Sequence, residues 1–251
     1  MEKILLIAGC SHAAGSEING LEDSVYNRQQ SFGAQLARML DRTPVNISIN
    51  GATNSCIARS TLKWFEHNYD ASKMDVAVLI AWTESTRLEI PSDRGFQYRH
   101  SSKCADWYDE TMETYFRINF GWEGGDPEEK ALFPRYHKFM AENESLLELW
   151  SANYILQIQY FLKSLNVKYV MCNTMHMFSN NGKHVKELTN LVDERNFYKL
   201  HGSKDDAFFW KYRNLGYENP KAKYWHHNEV PHQLYAEELY KFIEENKCLT
   251  G

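Results

Sequence analysis

Four polar stretches lie next to predicted strands or helices. Together they contain the groups needed to attack a carbonyl carbon. Ser11 stands in GCSH after the first apolar run, Gly51 and Asn54 stand in NGATN after the second, and Thr83 stands in AWTES after the third. A serine hydroxyl becomes a good nucleophile when an imidazole takes its proton. WHHNEVPH, near the end of the chain, contains imidazoles at residues 226, 227 and 232. The pattern predicts nucleophilic chemistry on a serine.

The same stretches contain candidate donors for a negatively charged oxygen. The backbone N–H groups of Ser11 and Gly51 are two of them, because a glycine lets the backbone approach a ligand closely. The Asn54 amide would add a side-chain donor. An alternative remains open, in which Gly51 only forms a turn and Asn54 only caps the helix that follows.

A parallel sheet would bring these distant residues together. Residues 3–8, 45–50, 75–82 and 167–173 are near-continuous apolar runs, as in strands that are covered on both faces. Helical patterns occupy residues 31–40, 55–66, 144–165 and 229–245, with Asn54 and Asn228 as expected N-caps of the second and the last. The alternation predicts an α/β fold with a doubly wound parallel sheet and helices on both faces.

Two aromatic-rich stretches interrupt this alternation, at about residues 84–143 and 178–224. Neither has the polar composition of a disordered segment. We interpret them as insertions in a single domain, residues 1–251, that fold over the carboxyl edge of the sheet, where open α/β sheets bind ligands. Their rings would then line a pocket; a satellite core and an oligomer contact are the alternatives.

The order and spacing of the motifs resemble those of the SGNH (GDSL-type) hydrolases, a flavodoxin-like α/β family of esterases, lipases and deacetylases. Gly9-Cys10-Ser11 resembles the G-D-S motif of that family, with a cysteine in the middle, and Gly51 matches the glycine of its second block. Residues 81–84 occupy the third block, and residues 226–232 resemble the run that leads into the family's terminal helix.

This resemblance implies a three-layer flavodoxin-like fold, with Ser11 as the nucleophile and His226 as the general base. It also implies an oxyanion hole formed by the backbone of Ser11 and Gly51 and by a side chain of the third block. The family's third-block asparagine is replaced by Thr83, unless Asn54 or Asn173 takes that role. No cofactor is implied.

The acid that the family places three residues before the histidine is Lys223 here. One alternative is a Ser-His dyad whose ring is oriented by backbone carbonyls. Another is an acid from elsewhere, such as Asp205 or Asp206. A third is the pair Glu229 and His232, which has the acid-x-x-His spacing; we favour His226 over His232, because a residue in the first turns of a helix is less free to reach Ser11.

Several other residues are candidates for substrate binding at the same edge. They are His12, Glu84, Arg87, His176 and His227, and for each a structural role is the alternative. The imidazoles of residues 226, 227 and 232 have no carboxylate at metal-ligand spacing, so no metal site is predicted.

The composition narrows the possible partners. The 251 residues carry a net charge of −5, which disfavours a nucleic-acid partner. No apolar run approaches the roughly 20 residues of a membrane span, and residues 3–8 do not have the features of a signal peptide. Five scattered cysteines without CxxC spacing indicate reduced thiols. We therefore expect a cytoplasmic protein that begins at Met1.

The function predicted from these residues is serine-dependent hydrolysis of an ester through an acyl-enzyme intermediate. The expected substrate is an acylated carbohydrate or another small polar molecule. Two alternatives remain open: a non-catalytic ligand-binding or assembly protein on the same scaffold, and an acyltransferase that uses the same serine.

Overall fold

The structure is a computed structural model that describes residues 1–91, 115–118, 127–178 and 182–249. The described strands are β1 Glu2–Gly9, β2 Thr43–Asn46, β3 Met74–Trp82, β4 Leu88–Pro91, β5 Tyr115–Ile118, β6 Lys168–Asn173 and β7 Phe197–Tyr198. The described helices are α1 Ser11–Ala14, α2 Val25–Gln30, α3 Phe32–Met39, α4 Asn54–Asn68, α5 Pro127–Glu142, α6 Glu144–Ser164, α7 Lys183–Thr189, α8 Phe208–Asn214 and α9 Glu229–Asn246.

Five strands form a parallel sheet in the order β2-β1-β3-β6-β7. If only these five strands are numbered in chain order, the order becomes 2-1-3-4-5, which is that of flavodoxin-like folds. Gly9 at the end of β1 pairs with Ala81, and Trp82 at the end of β3 pairs with Asn173. The carboxyl ends of the three central strands therefore lie side by side, and the predicted α/β fold class is confirmed.

Both faces of the sheet are covered, which explains why its strands are apolar along their whole length. On one face, side chains of β1, β3 and β6 form a core with α4 and α6. On the other face they form a core with α3, α8 and α9. The alternate residues of each strand enter the two cores in turn, so a three-layer arrangement follows from the sequence pattern.

The second strand is shorter than the apolar run predicts. β2 ends at Asn46, yet the backbone N–H groups of Ile47 and Ile49 still donate to carbonyls of β1, at 2.8 and 3.0 Å. The cap of α4 also differs from the prediction: Thr53, not Asn54, accepts a hydrogen bond from the Cys56 N–H. Asn54 is the first residue of the helix, which leaves its amide for another contact.

The two aromatic-rich stretches contain regular elements that the sequence pattern does not indicate. In the first, β4 and β5 form an antiparallel pair and α5 follows; residues 92–114 and 119–126, including Trp107, Tyr108 and Trp122, lie outside the described residues. In the second, β7 adds a fifth strand to the main sheet and α8 packs on it. Among the described residues, no helix has both the length and the apolar character that crossing a membrane requires.

The turn from β1 into α1 requires a glycine. A Cβ atom at Gly9 would stand 2.5 Å from the Cβ of Ala13 and 2.9 Å from the carbonyl oxygen of Ala81. Because Gly9 has no side chain, the chain can fold back over the end of the sheet within two residues. This tight turn sets Ser11 at the carboxyl edge of the sheet.

Candidate active site

Ser11 begins the short helix α1 and is almost completely buried at the end of β1. α1 is capped by Gly15, whose φ of 75° is the left-handed conformation that glycine adopts without strain. The chain reverses there, and the Ser16 N–H donates to the Ser11 carbonyl at 3.0 Å. This reversal brings Glu17 back toward the loop that precedes α9.

Glu17 forms a short, buried hydrogen bond with His226. The distance between Glu17 Oε2 and His226 Nδ1 is 2.6 Å, and both side chains are buried. An ionised carboxylate can only accept, so Nδ1 carries the proton and donates it. In a neutral imidazole with its proton on Nδ1, Nε2 keeps a lone pair and is the nitrogen that can accept a proton.

Two backbone N–H groups hold the Glu17 carboxylate in place. The Lys223 N–H donates to Oε1 at 2.7 Å, and the Tyr224 N–H donates to Oε2 at 3.0 Å. Burial acts to raise the pKa of Glu17, but the hydrogen bonds from His226, Tyr224 and Lys223 outweigh it and lower the pKa below its ordinary value. Lys223, which stands where the resemblance places an acid, therefore binds the acid through its backbone.

Two residues that are not glycine have a left-handed backbone here: Glu17 itself and the residue before His226. Glu17 has a φ of 61° and Trp225 a φ of 62°. Such conformations each cost about 1–3 kcal/mol and persist only where the surroundings fix them. Here the Asn219 side-chain amide donates to the Glu17 carbonyl at 2.7 Å, and the Glu17 carboxylate fixes the loop that contains Trp225.

The other candidate acids lie elsewhere, which corrects the sequence-based alternatives. Asp205 accepts from Asn214, and Asp206 accepts from Lys199 and from Ser203. Glu229 is exposed and accepts from the Tyr26 hydroxyl. The carboxylate on His226 is that of Glu17, six residues after Ser11, in a loop where no pattern of the sequence indicates a role.

His232 is part of the core of the molecule. Its Nδ1 accepts the Phe32 backbone N–H at 3.1 Å, and its ring stacks on the Phe32 ring. Burial, with smaller contributions from the charges of His227 and His226, lowers the pKa of His232 well below its ordinary value. Glu229 and His232 are thus each engaged with another partner, which disfavours them as a catalytic pair.

His12 lies directly against His226, with ring centroids 4.9 Å apart. Its ring also contacts those of Phe208 and Phe209, at 5.9 and 5.2 Å. Burial first, and then the positive charges that His226, His227 and Arg87 would contribute, lower the pKa of His12 well below its ordinary value. A neutral His12 thus forms one wall of the site, directly after the candidate nucleophile Ser11 in the chain.

His227 has a structural position between two backbone segments. Its Nδ1 lies 2.8 Å from the Tyr217 carbonyl oxygen, and its Nε2 lies 3.0 Å from the Phe209 carbonyl oxygen. Burial lowers its pKa, against the opposing effect of these two carbonyls. His227 therefore ties the second aromatic-rich stretch to the loop that carries His226, and rings of that stretch reach the site.

Asn54 and Thr83 form a reciprocal pair at the carboxyl edge. The Thr83 N–H donates to Asn54 Oδ1 at 2.9 Å, and Asn54 Nδ2 donates to the Thr83 carbonyl at 3.1 Å and to the Ser151 hydroxyl at 3.0 Å. Both amide hydrogens of Asn54 are thus committed, which corrects the expectation of a free amide donor. Within the described part of the chain, the buried Thr83 hydroxyl has no hydrogen-bond partner.

The remaining predicted residues lie around this edge. Gly51 has a φ of 69° in the loop between β2 and α4, a conformation that favours glycine. Glu84 and Arg87 form an ion pair at 2.8 Å, and the charge of Arg87 acts on His12. His176 is half-buried; burial and the nearby charge of Lys204 lower its pKa.

No protein-family model and no curated protein matches this sequence. Solved structures that it resembles include the psychrotrophic esterase EstA from Pseudoalteromonas sp., at 12% identity over 98% of both chains with a TM-score of 0.42. A putative lipolytic protein of the G-D-S-L family from Desulfitobacterium hafniense DCB-2 is 14% identical over 95% of this chain and 98% of that one, with a TM-score of 0.36.

The acetyl xylan esterase Est2A from Butyrivibrio proteoclasticus is 15% identical, with a TM-score of 0.48; the match covers 98% of this chain and 64% of that one. At such identities and TM-scores, the activity of these proteins does not transfer to this chain. The fold assignment stands on the strand order of the chain itself.

The Glu17 carboxylate is expected to contribute strongly to stability. Glu17→Gln puts an amide where three N–H groups converge, so we predict a loss of about 2–4 kcal/mol in the free energy of unfolding at pH 7. Because the folded-state pKa of Glu17 is lowered, this stabilisation is complete above the pKa of the unfolded chain, about 4.3, and is lost as the pH falls through the folded-state pKa. Urea unfolding of both proteins between pH 7 and pH 3 measures it.

The exposed Glu22 provides a matched control. Glu22→Gln should change the free energy of unfolding by less than about 0.5 kcal/mol at every pH. Equal stability of the parent and Glu17→Gln at pH 7 would contradict the prediction, as would a difference that does not narrow in acid.

Proposed function

We propose that this protein hydrolyses esters through an acyl-enzyme intermediate, with Ser11 as the nucleophile, His226 as the general base and Glu17 as the acid that orients the base. The observation that supports it most is the buried 2.6 Å hydrogen bond between Glu17 and His226 Nδ1, in a ring that lies 4.9 Å from that of His12, the residue after Ser11. It provides the acid that the resemblance to SGNH hydrolases leaves missing at Lys223.

In the first step, the Ser11 Oγ attacks the carbonyl carbon of the ester while His226 Nε2 takes the hydroxyl proton. The imidazolium that forms lies against the Glu17 carboxylate, which stabilises its positive charge. The tetrahedral intermediate collapses when the bond between the carbonyl carbon and the alcohol oxygen breaks. His226 gives its proton to the departing alcohol, and the acyl group remains on Ser11.

In the second step, water replaces the alcohol and the sequence reverses. His226 Nε2 takes a proton from the water, whose oxygen attacks the acyl carbon. The bond to Ser11 Oγ breaks, and His226 returns the proton to that oxygen. A carboxylic acid leaves, and the site returns to its starting state without a cofactor.

The developing oxyanion would be stabilised by the Ser11 N–H, the Gly51 N–H and the Thr83 hydroxyl. Thr83 is the side-chain donor in this proposal because Asn54 has both amide hydrogens in other bonds. Asn54 then acts as a positioning residue that fixes the Thr83 backbone. The proposed substrate is an acyl ester of a carbohydrate or another small polar molecule.

Active-site labelling tests the assignment of the nucleophile and its partners. A fluorophosphonate probe followed by peptide mapping should label Ser11 in the parent protein and should not label the Ser11→Ala variant. Glu17→Gln should reduce kcat by about 10²- to 10⁴-fold, because the imidazolium loses its stabilising charge and the ring loses its fixed tautomer. Glu229→Gln, the matched control, should leave kcat near that of the parent, because Glu229 bonds to Tyr26 on the surface.

The same experiment separates the proposal from the non-catalytic alternative. If folded parent protein is not labelled at any serine, the chain is a binding protein on this scaffold. Equal kcat values for Glu17→Gln and the parent would remove Glu17 from the mechanism.

The oxyanion assignment of Thr83 is tested by a pair of substitutions. Thr83→Val keeps the shape and removes the hydroxyl, so kcat should fall by about 10- to 100-fold with little change in thermal stability. Thr83→Ser keeps the hydroxyl and should retain most of the activity. A Thr83→Val enzyme as fast as Thr83→Ser would show that the hydroxyl does not act in the reaction.

A further inference from the structure

Arg213 lies among three aromatic rings, those of Phe209, Trp210 and Trp225, next to the candidate active site. Its Cζ is 5.3 Å from the ring centroid of Trp225, 5.6 Å from that of Phe209 and 5.7 Å from that of Trp210. A guanidinium over aromatic faces is held in position while its N–H groups stay available to a partner. Arg213 is therefore a positioned cation.

Ring contacts connect this cation to the candidate base. Phe209, one of the three rings around Arg213, lies 5.2 Å from the ring of His12. His12 in turn lies 4.9 Å from the ring of His226. Two ring contacts, through Phe209 and His12, thus join the surroundings of Arg213 to the candidate base.

Trp225 is the ring of this group that is most open to solvent. Its relative exposure is 71%, although it directly precedes the buried His226. Its left-handed backbone and the bond from the Tyr224 N–H to Glu17 fix its place. An exposed aromatic ring beside a guanidinium offers a face on which a planar ligand can stack.

Two cations lie against the rings of this group. Besides Arg213, Lys204 lies over the Trp210 ring at 3.5 Å, whereas Lys199 and Lys211 are paired with Asp206 and Glu238. Arg213 forms one ion pair within the described residues, with Glu218 at 3.8 Å, and the Glu218 side chain is 72% exposed. An ion pair of that length and exposure is weak, so an anion of the substrate can replace it.

We propose that Arg213 and Trp225 form a specificity subsite for esters that carry an anionic group, a carboxylate or a phosphate, on a ring. The ring of the substrate stacks on Trp225, and the anion accepts charge-assisted hydrogen bonds from the Arg213 guanidinium. The proposal rests on the proposed ester hydrolysis, and it selects the substrate class of that same site.

Matched aryl acetates test it, because they share the acyl group and the ring. The measurement is kcat/KM for para-acetoxybenzoate, para-acetoxyphenyl phosphate and the neutral para-acetoxybenzamide, in the parent and in Arg213→Met, Arg213→Lys and Trp225→Leu. The parent should prefer at least one of the two anionic esters by about tenfold over the amide. The identity of the preferred anionic ester shows whether the subsite binds a carboxylate or a phosphate. Lys241→Met, which removes an exposed cation of α9, is the control for net charge.

The preference should disappear in Arg213→Met, persist in part in Arg213→Lys and be unchanged in Lys241→Met. Trp225→Leu should weaken the binding of all three esters. Equal kcat/KM for the anionic and neutral esters in the parent, or a preference that survives Arg213→Met in folded protein, would overturn the proposal.

A binding measurement keeps this test separate from that of the hydrolysis. Calorimetry on Ser11→Ala with para-hydroxybenzoate, para-hydroxyphenyl phosphate and para-hydroxybenzamide reports the subsite without any turnover. An anionic phenol should bind about tenfold more tightly than the amide, and this advantage should be lost in Arg213→Met. If this is observed but no ester is cleaved, the proposed hydrolysis is wrong and the subsite stands. If binding shows no such preference, the subsite is wrong.

Discussion

The hydrogen bond between Glu17 and His226 is the constraint on which the site depends. It joins residues that are 209 positions apart in the sequence, one in the loop after β1 and one in the loop before α9. The same carboxylate accepts the backbone N–H groups of Lys223 and Tyr224. One buried group therefore orients the imidazole, shapes the loop that carries it and sets the place of the exposed Trp225.

The sequence predicts the sheet well, because strands covered on both faces are long apolar runs. The ends of β1, β3 and β6 agree with the predicted runs to within one residue. β7 could not be predicted, since two residues have no periodicity and their pairing with β6 depends on the rest of the fold. β2 ends early although its chain continues to hydrogen-bond to β1.

The candidate site was predictable only in part. Ser11 and His226 follow from strand ends and from the order of the motifs. Glu17 does not, because a carboxylate in a loop has no pattern, and the resemblance directs attention to Lys223. Asn54 shows the opposite case, a residue that the sequence suggests as a donor and the structure does not leave available. Its amide donates to Thr83 and Ser151, contacts that depend on the packing.

Burial keeps the imidazoles around the site neutral, since it lowers the pKa of His12, of His227 and of His232. The Glu17 carboxylate is kept ionised by its hydrogen bonds in the same surroundings. An ionised acid that accepts from Nδ1 of the base leaves Nε2 to take the proton of a serine. The most direct test is proton NMR of the imidazole N–H groups. A short, buried bond should give a His226 Nδ1 proton far downfield of the amide region, absent in His226→Ala and in Glu17→Gln but retained in Glu229→Gln. A spectrum without this resonance, or a resonance that persists in Glu17→Gln, would contradict the account.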